Sequence, residues 1–383
     1  MLISKPLFDW LSLDIVSTII GGYLNNKGTV LVAMSGGVDS SVAACILKEN
    51  GYSVIGVTMK LWADDGTNNN IQSKGCCSVE DVEDARRVCQ IIDAPHYVMN
   101  FQKEFQEHVI DYFVREYESG RTPHPCLACN DKIKFDFLMK KALALNLDYV
   151  ATGHYARLQS CNGTSKLLKG MDQMKDQSYV LFNLNQYQMK HLLLPVGEYT
   201  KSDIRSIALR YGLPVADKPD SQEICFIPDN DYRSFISQRS TTKPGQIVDT
   251  YGHVLGSHQG IINFTIGQRK GLGIQSDHPM FVISINKDTD QIVVGPAHKL
   301  LQHDLWASNV NYLSGKRPIA PIEVDAKIRY KSEYSKATLT PEDGWAYLNF
   351  HKPQRAVTPG QPVVFYVGDE VLGGGFIESA LYA

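Results

Sequence analysis

The stretch "VAMSGGVDSSVAA", residues 32–44, decides the fold of this chain. An apolar run typical of a buried strand leads directly into Ser-Gly-Gly-Val-Asp-Ser, and a helix-like apolar pattern follows. The two glycines let the backbone come close to a phosphate, while Ser35 and Ser40 add hydroxyl donors. Asp39 either orients the loop or helps to hold Mg²⁺. The segment therefore predicts a phosphate-binding loop between a strand and a helix.

Two common phosphate-binding motifs do not fit this loop. It lacks the Gly-Lys-Ser/Thr ending of a Walker A loop, and it lacks the Gly-x-Gly-x-x-Gly of a dinucleotide site. A structural turn rich in serine and glycine is the simpler alternative. The strand before the loop, the helix after it and the Asp39–Ser40 pair together favour the functional interpretation.

The pattern on either side of the loop predicts the architecture. From residue 29 to about 155, buried apolar runs alternate with helical patterns, which is typical of a doubly wound parallel sheet in an α/β domain. After about residue 228, short β-runs with Gly and Asp turns predict two smaller β-rich domains, the last a β-barrel. The predicted boundaries are an N-terminal extension at 1–28, a catalytic ATP-binding domain at 29–228, a central β-rich domain at 229–303 and the barrel at 304–383.

Composition narrows the class of protein. The 383 residues are 43% hydrophobic and 21% charged, which supports real cores and argues against wholesale disorder. The formal net charge of −3 gives no global sign of a nucleic-acid partner, although a local basic surface is compatible with it. The first 26 residues are apolar but interrupted by Asp9 and Asp14, so they predict an amphipathic helix and neither a targeting peptide nor a membrane span.

Eight cysteines without a secretory signal predict a reducing, cytoplasmic location, where exposed thiols are catalytic or metal-binding candidates. Cys45 and Cys89 lie in helix-like apolar patterns and are expected to be buried small hydrophobes. The adjacent Cys76 and Cys77 are expected to be structural, and Cys161 lies in a polar turn. Of the three that remain, Cys225 stands in "SQEICFIP", residues 221–228, and Cys126 and Cys129 stand in "TPHPCLACNDKIKF", residues 122–135. By itself this Cys-x-x-Cys is half a metal site, a redox dithiol, or one working thiol beside a neighbour.

Motifs along the chain answer that question by resemblance. The Ser-Gly-Gly-x-Asp-Ser loop resembles that of the PP-loop ATP pyrophosphatases, adenine nucleotide α-hydrolase-like enzymes that cleave ATP between the α- and β-phosphates. With the cysteine segment, the chain resembles the tRNA-specific 2-thiouridylase (MnmA/TrmU) family from residue 32 to residue 377. The further motifs are "ATGHYAR" at 151–157, "KDQSYVLF" at 175–182, "SQEICFIP" at 221–228, "FTIGQRKGLGI" at 264–274, "IRY" at 328–330, and "VTPGQPVVFY" with "VLGGGFI" near the end.

The resemblance implies ATP-dependent 2-thiolation of the wobble uridine of tRNA. ATP, with Mg²⁺, would adenylate the uridine 2-oxygen with release of pyrophosphate, and a cysteine persulfide would then deliver sulfur, giving 2-thiouridine and AMP. The chemistry is coherent, because a carbonyl oxygen leaves only when activated and a persulfide is a practical sulfur nucleophile. The implied partners are tRNA and a persulfide-donating sulfur-relay protein or cysteine desulfurase, with no membrane.

The resemblance also implies roles for individual residues. Cys129 would attack or resolve, and Cys225 would carry the persulfide, so a disulfide between them belongs to the implied cycle. The residues that would contact ATP are Ala33, Met34, Ser35, Gly36, Gly37, Val38, Asp39, Ser40, Met59 and Gly153. The target base would lie against His124, Pro125 and Cys126, and tRNA would contact Lys175, Asp176, Gln177, Arg329 and Tyr330.

Cys126 departs from the family pattern, in which many members have Asp at this position. The substitution puts the proposed activating role of that carboxylate in doubt. It also creates a three-thiolate set, Cys126, Cys129 and Cys225, so an iron–sulfur cluster is an open alternative. Structural zinc is not expected, because a second Cys-x-x-Cys is missing.

Two rival functions stay open at the level of sequence. One is an amide-forming PP-loop synthetase, which would have no use for the Cys129 and Cys225 pair. The other is an RNA-binding protein whose phosphate loop is a relic. Near the thiols, Asn130, Lys132 and Lys134 either lower a thiol pKa or bind phosphate; the alternative for the two lysines is a solvated helix face.

Overall fold

The computed structural model describes residues 27–62, 78–220, 224–227 and 231–379. The predicted N-terminal helix and the Cys76–Cys77 pair lie outside the described residues. Within the described part of the chain, no helix combines the length and the apolar character needed to cross a membrane.

The first domain is built on a five-stranded parallel sheet. Its strands, in the spatial order β3-β2-β1-β4-β7, are β1 (Thr29–Ala33), β2 (Ser53–Lys60), β3 (His96–Asn100), β4 (Tyr149–Ala151) and β7 (Leu192–Leu193). Its main helices are α1 (Val38–Glu49), α2 (Val79–Ile91), α3 (residues 102–118), α4 (residues 125–144), α5 (Gln186–Lys190) and α6 (Lys201–Arg210). The predicted α/β fold class is confirmed.

The two faces of this sheet carry separate cores. Along β1, Val30 and Val32 pack with α1, α2 and α6, while Leu31 and Ala33 pack with α3 and α4. Side chains of a strand alternate between faces, so a strand buried on both sides reads as a continuous apolar run. This is why the sequence "TVLVA" predicts a central strand of a doubly wound sheet.

Two helices of this domain contain π-helical segments. In α3 the segment is Gln106–Ile110, and in α4 it is Cys129–Leu138, which begins at a predicted catalytic cysteine. π-helical turns are rare and occur frequently at functional sites. The helical pattern in the sequence does not distinguish them from ordinary α-helix.

A hairpin in the first domain was not predicted. Its strands, β5 (Ala156–Cys161) and β6 (Thr164–Lys169), are joined by Asn162 and Gly163, both with positive φ. An Asn-Gly pair between short strands favours this kind of turn, so the signal was present in "SCNGT". Glu370 of the last strand pairs with Leu168, which ties the hairpin to the C-terminal domain.

The central domain follows a short helix, α7 (Tyr232–Ser237). It contains one four-stranded sheet in the order β10-β11-β8-β9, in which β11 and β8 are parallel. The strands are β8 (Gly245–Asp249), β9 (Val254–His258), β10 (Phe281–Asn286) and β11 (Gln291–Gly295).

The C-terminal domain is a closed six-stranded barrel, as predicted. Its strands follow the order β12-β15-β14-β13-β16-β17, and β17 pairs with β12 to close it. They are β12 (Leu301–Tyr312), β13 (Ile322–Lys327), β14 (Ser335–Pro341), β15 (Trp345–Arg355), β16 (Pro362–Val367) and β17 (Glu370–Ser379). Closure leaves no unpaired strand edge around the barrel.

The barrel packs directly on the first domain. The Asn311 side chain donates hydrogen bonds to the carbonyls of Phe182 and Leu184, at 2.7 and 2.9 Å. The ring of Phe182 meets that of Phe376 edge-on, with centroids 6.0 Å apart. The barrel therefore holds the chain that follows the "KDQSYVLF" motif.

Replacing Asn311 with Ala should test this junction. We expect the free energy of unfolding to fall by about 2 kcal/mol, because two partly buried carbonyls lose their donor. Asn349→Ala is the control, since Asn349 makes an exposed bond to Asp304 on the same barrel and should change stability by only about 0.5 kcal/mol. Equal losses in urea unfolding for both variants would contradict the proposed role of Asn311.

Candidate active site

The predicted phosphate-binding loop connects β1 to α1. Gly36 has φ +71°, and a Cβ there would lie 2.5 Å from the backbone oxygen of Asp81 in α2, so only glycine fits. The exposed Ser35 lies against Ser40, with the two hydroxyl oxygens 3.3 Å apart. Gly37 caps α1 without a side chain, so the first-turn N–H groups face an open helix end. Such an end suits an anion.

The carboxyl end of β4 lies against this loop. A Cβ on Gly153 would be 2.6 Å from the Ser40 nitrogen, so the backbones touch where any other residue would overlap. Two residues on, the Tyr155 hydroxyl donates to Asp39 at 2.6 Å. Between them the buried His154 contacts the Thr152 hydroxyl at 2.7 Å. The "ATGHYAR" motif therefore fixes the start of α1.

The same motif contacts the helix that carries the cysteines. The His154 ring packs against Phe135 of α4, with centroids 6.0 Å apart. Burial and the nearby Lys134 lower the pKa of His154, so this ring is neutral at pH 7. The charge of Lys134 therefore influences His154. Asn130 is buried, and its side chain donates a hydrogen bond to the Val180 carbonyl at 3.2 Å. Asn130 thus serves the packing of α4.

Asp39 belongs to a chain of alternating charges. The Lys201 ammonium donates to both of its carboxylate oxygens, at 2.7 and 2.9 Å, and lies 2.7 Å from Asp220. Lys175 in turn lies 2.7 Å from the second oxygen of Asp220. Burial raises the pKa of Asp220, but the bonds from Lys175 and Lys201 outweigh it and the pKa is lowered overall. This arrangement supports the orienting role for Asp39.

The predicted catalytic Cys129 lies one turn into α4. The helix begins at Pro125, and the His124 ring accepts the Leu127 N–H through Nδ1 at 3.3 Å. Cys126 is exposed, whereas Cys129 is half-buried against the first core. Pro at the first helical position and a side-chain cap before it explain why the helix begins here.

The second predicted catalytic residue, Cys225, is exposed on a turn at residues 224–227. The neighbouring Phe226 is buried among the rings of Phe105, Phe113 and Phe235, which anchors the turn on α3. The implied disulfide from Cys225 to Cys129 is not seen among the described residues.

An iron–sulfur cluster at the three thiols is not supported. In the part of the chain that the structure describes, no group of three or more His, Cys, Asp or Glu side chains is placed to hold a metal ion. Cys126 faces solvent while Cys129 packs inward, and Cys225 lies on a separate segment. By contrast, Cys45 and Cys89 are buried as expected, and burial raises the pKa of each thiol to about 12.

The other predicted ATP contacts include four apolar residues in the core next to the loop. Ala33, Met34, Val38 and Met59 are buried. Met34 lies against Cys89, with the two sulfurs 3.3 Å apart. These side chains pack in the core beneath the loop, and their contact with ATP stays a prediction.

The predicted tRNA-contacting residues are used partly within the chain. Asp176 is buried and accepts hydrogen bonds from Gly170 N and from both the N–H and the hydroxyl of Ser178. The Gln177 side chain accepts from Tyr155 N at 3.0 Å. Arg329 donates to the carbonyls of Arg355 and Ala356. These bonds hold the barrel and the "KDQ" turn in place.

Tyr330 connects the barrel to the cysteine helix. Its ring lies 6.0 Å from that of Tyr179, which lies 6.0 Å from the ring of His124. Burial raises the pKa of Tyr330, and the nearby Asp176 and Cys126 add to the effect. The structure therefore brings together Cys126, His124 and Tyr330, which the sequence separates by about 200 residues.

Comparisons with known proteins show which family this chain belongs to. Domain-family models match residues 28–229 as "tRNA methyl transferase HUP domain", 233–296 as "tRNA methyl transferase PRC-barrel domain" and 302–377 as "Aminomethyltransferase beta-barrel domain". The tRNA-specific 2-thiouridylase MnmA of Clostridium perfringens is 51% identical over 358 residues, 93% of this chain and 99% of that protein. That of Lachnoclostridium phytofermentans is 51% identical over 352 residues, 91% and 99%.

The chain belongs to the tRNA-specific 2-thiouridylase family. The resemblance in the sequence motifs is thereby confirmed. Among solved structures, the NMN synthetase of Francisella tularensis aligns with a TM-score of 0.31 and 16% identity, over 51% of this chain and 67% of that one.

Sequence reasoning missed the residues that hold Asp39. Lys201, Tyr155 and Asp220 come from three separate segments, and no local spacing connects them with the phosphate loop. Tyr155 stood inside a quoted motif, "ATGHYAR". Lys201 follows Thr200, whose side chain caps α6. That threonine indicates the start of a helix in the sequence, but it does not indicate that Lys201 pairs with Asp39.

The His124 cap makes the cysteine helix sensitive to acid. Burial lowers the pKa of this ring to about 4, below the ordinary value of 6.5, so the unfolded chain takes up the proton first. Stability is unaffected above about pH 6.5 and falls as the pH drops from there toward 4. We expect His124→Asn to keep the cap without the titration.

Urea unfolding at pH 7 and pH 5 measures this effect. The wild type should lose about 1–2 kcal/mol more than His124→Asn over that interval. His154 titrates in both proteins and cancels from the comparison. An identical loss in both would show that the cap does not carry the acid sensitivity.

Proposed function

We propose that this protein carries out ATP-dependent 2-thiolation of the wobble uridine of tRNA in the cytoplasm. Family membership supports a tRNA sulfurtransferase of the PP-loop type. The observation that carries the proposal is the contact of residues 152–155 with both the phosphate loop and the cysteine helix. One rigid segment thus joins the part that would activate oxygen to the part that would deliver sulfur.

The proposed reaction has two stages, activation of the uridine 2-oxygen and transfer of sulfur to C2. The uridine 2-oxygen attacks the α-phosphorus of ATP, and pyrophosphate leaves with the electron pair of the broken P–O bond. The terminal sulfur of a persulfide on Cys225 then attacks C2, and AMP leaves with the former 2-oxygen. The Cys129 thiolate attacks the Cys225 sulfur, which releases 2-thiouridine and leaves a disulfide. A thiol reductant restores both thiols, and a donor protein renews the persulfide.

Lys201 is the residue of this chain best suited to receive the polyphosphate. Its side chain is only 12% exposed, and its ammonium lies between the carboxylates of Asp39 and Asp220. A Mg²⁺-bound triphosphate arriving at the start of α1 would compete with Asp39 for this ammonium. Lys201 would then stabilise the charge on the departing pyrophosphate, while the Tyr155 hydroxyl would keep Asp39 oriented.

Lys201→Met should abolish activation of the oxygen. We expect tRNA-dependent ATP–pyrophosphate exchange to fall at least about 100-fold, because a preorganised charge on the leaving group is lost. Lys140→Met is the matched control, since Lys140 forms an exposed ion pair with Asp136 on α4. Wild-type exchange by Lys201→Met would exclude Lys201 from the phosphate site.

Cysteine variants separate sulfur transfer from oxygen activation. In Cys129→Ser and Cys225→Ser, mass spectrometry of tRNA nucleosides should find no 2-thiouridine, whereas ATP–pyrophosphate exchange should continue. Cys161→Ser, which alters an exposed thiol on the β5–β6 hairpin, should retain both activities. An amide-forming synthetase would be unaffected by either of the first two changes. A relic loop would give no exchange even in the wild type.

A further inference from the structure

The side chain of Lys327, at the end of β13, occupies an unusual position. Its ammonium lies over three tyrosine rings, 5.0 Å from the centroid of Tyr334 and 5.9 Å from those of Tyr179 and Tyr330. Among the described residues, no carboxylate lies within 4.0 Å of it. Burial lowers the pKa of Lys327, and the nearby Lys169 adds to that effect while Asp176 opposes it.

A second ammonium flanks the same aromatic group. The Lys169 Nζ lies 4.0 Å from the centroid of Tyr334 and 5.0 Å from that of Tyr366, and it donates to the Gly368 carbonyl at 2.9 Å. The Tyr334 side chain is 39% exposed, although it is large and aromatic. An accessible ring thus stands between two cations.

The Asp176 carboxylate, which opposes the lowering of the Lys327 pKa, acts on that ammonium without a direct hydrogen bond. Asp176 is buried and takes its hydrogen bonds from Gly170, from Ser178 and, at 3.4 Å, from the Tyr334 hydroxyl. A partly buried ammonium without an ion-pair partner is costly, and a bound anion would relieve that cost. The cluster is therefore suited to bind a group that carries negative charge.

The cluster lies near the start of the cysteine helix, α4. The Lys327 ammonium is 5.9 Å from the centroid of the Tyr330 ring, and the exposed Cys126 lies within electrostatic reach of Tyr330. The buried ring of Tyr179 packs against both Tyr330 and His124 and fixes their positions from within. An RNA strand that placed its target base at Cys126 would therefore bring a neighbouring nucleotide close to Lys327.

We propose that Lys327, Lys169 and Tyr334 form a binding site for one nucleotide of the tRNA beside the target uridine. The two ammonium groups hold the phosphate of that nucleotide, and the Tyr334 ring, over which both lie, keeps them in position. Contacts between cationic side chains and backbone phosphates supply much of the affinity of proteins for nucleic acids. The site rests on the proposed function, because it takes its RNA from the same substrate.

Binding of an anticodon stem-loop RNA to Lys327→Met tests the site. We expect the Kd to rise on the order of 10-fold, and the dependence of log Kd on log salt to lose about one phosphate contact. Lys336→Met is the matched control, because the Lys336 side chain is 65% exposed and pairs with Asp325 on the neighbouring strand. This variant should bind RNA as the wild type does. Tyr334→Leu alters the most exposed member of the cluster and should weaken binding similarly.

A scan of neutral phosphates identifies the contact. In stem-loops with a single methylphosphonate, one position flanking the target uridine should weaken binding to the wild type but not to Lys327→Met. A Lys327→Met protein that binds every RNA as Lys336→Met does, or loses thermal stability with no change in Kd, would reduce the cluster to a structural contact. If the wild type makes no 2-thiouridine, the proposed function fails; normal thiolation with an unchanged Lys327→Met overturns this site alone.

Discussion

The close approach of Gly153 to the first turn of α1 is the constraint on which the site depends. No Cβ fits between residue 153 and the backbone of Asp39 and Ser40, just as none fits between Gly36 and Asp81. The loop is thus held from two sides by backbone, and Lys201 and Tyr155 hold the carboxylate of Asp39. Donors positioned before the ligand arrives lose little entropy when they bind it.

The same constraint explains why the motifs extend over the whole chain. Residues 152–155 connect the phosphate loop to α4. The Gln177 side chain accepts a hydrogen bond from the Tyr155 N–H, which fixes the "KDQ" turn against the same segment. The barrel then fixes the entry to the cysteine helix, because the Gln361 side chain donates to the carbonyls of Thr122 and Pro123. The last domain therefore helps to position the start of α4, which carries Cys126 and Cys129.

Sequence patterns predicted the parts of this fold that depend on local periodicity. The apolar run of β1, the loop after it and the short strands of the barrel were all readable, because burial on one or two faces leaves a regular signal. The π-helical segment of α4 that begins at Cys129 was not readable, because its residues show the same apolar pattern as an ordinary α-helix. The ion pairs of Lys201 were not readable either, since its partners lie far away in sequence. The internal carbonyl and amide partners of Arg329 and Asp176 also could not be predicted from spacing, and the contact of these two residues with tRNA stays a prediction from the family resemblance.

The net charge explains why the composition gives no sign of an RNA partner. Much of the positive charge in this protein is matched within the chain, as at Lys201 between two carboxylates and Lys218 between Asp81 and Asp84. A chain of charge −3 therefore shows no basic surface in its totals. Lys327 is different, because tyrosine faces stabilise its charge without cancelling it. A cation held in this way stays available to a phosphate. A few such residues beside the start of α4 therefore suffice for an RNA site in a protein whose net charge is negative.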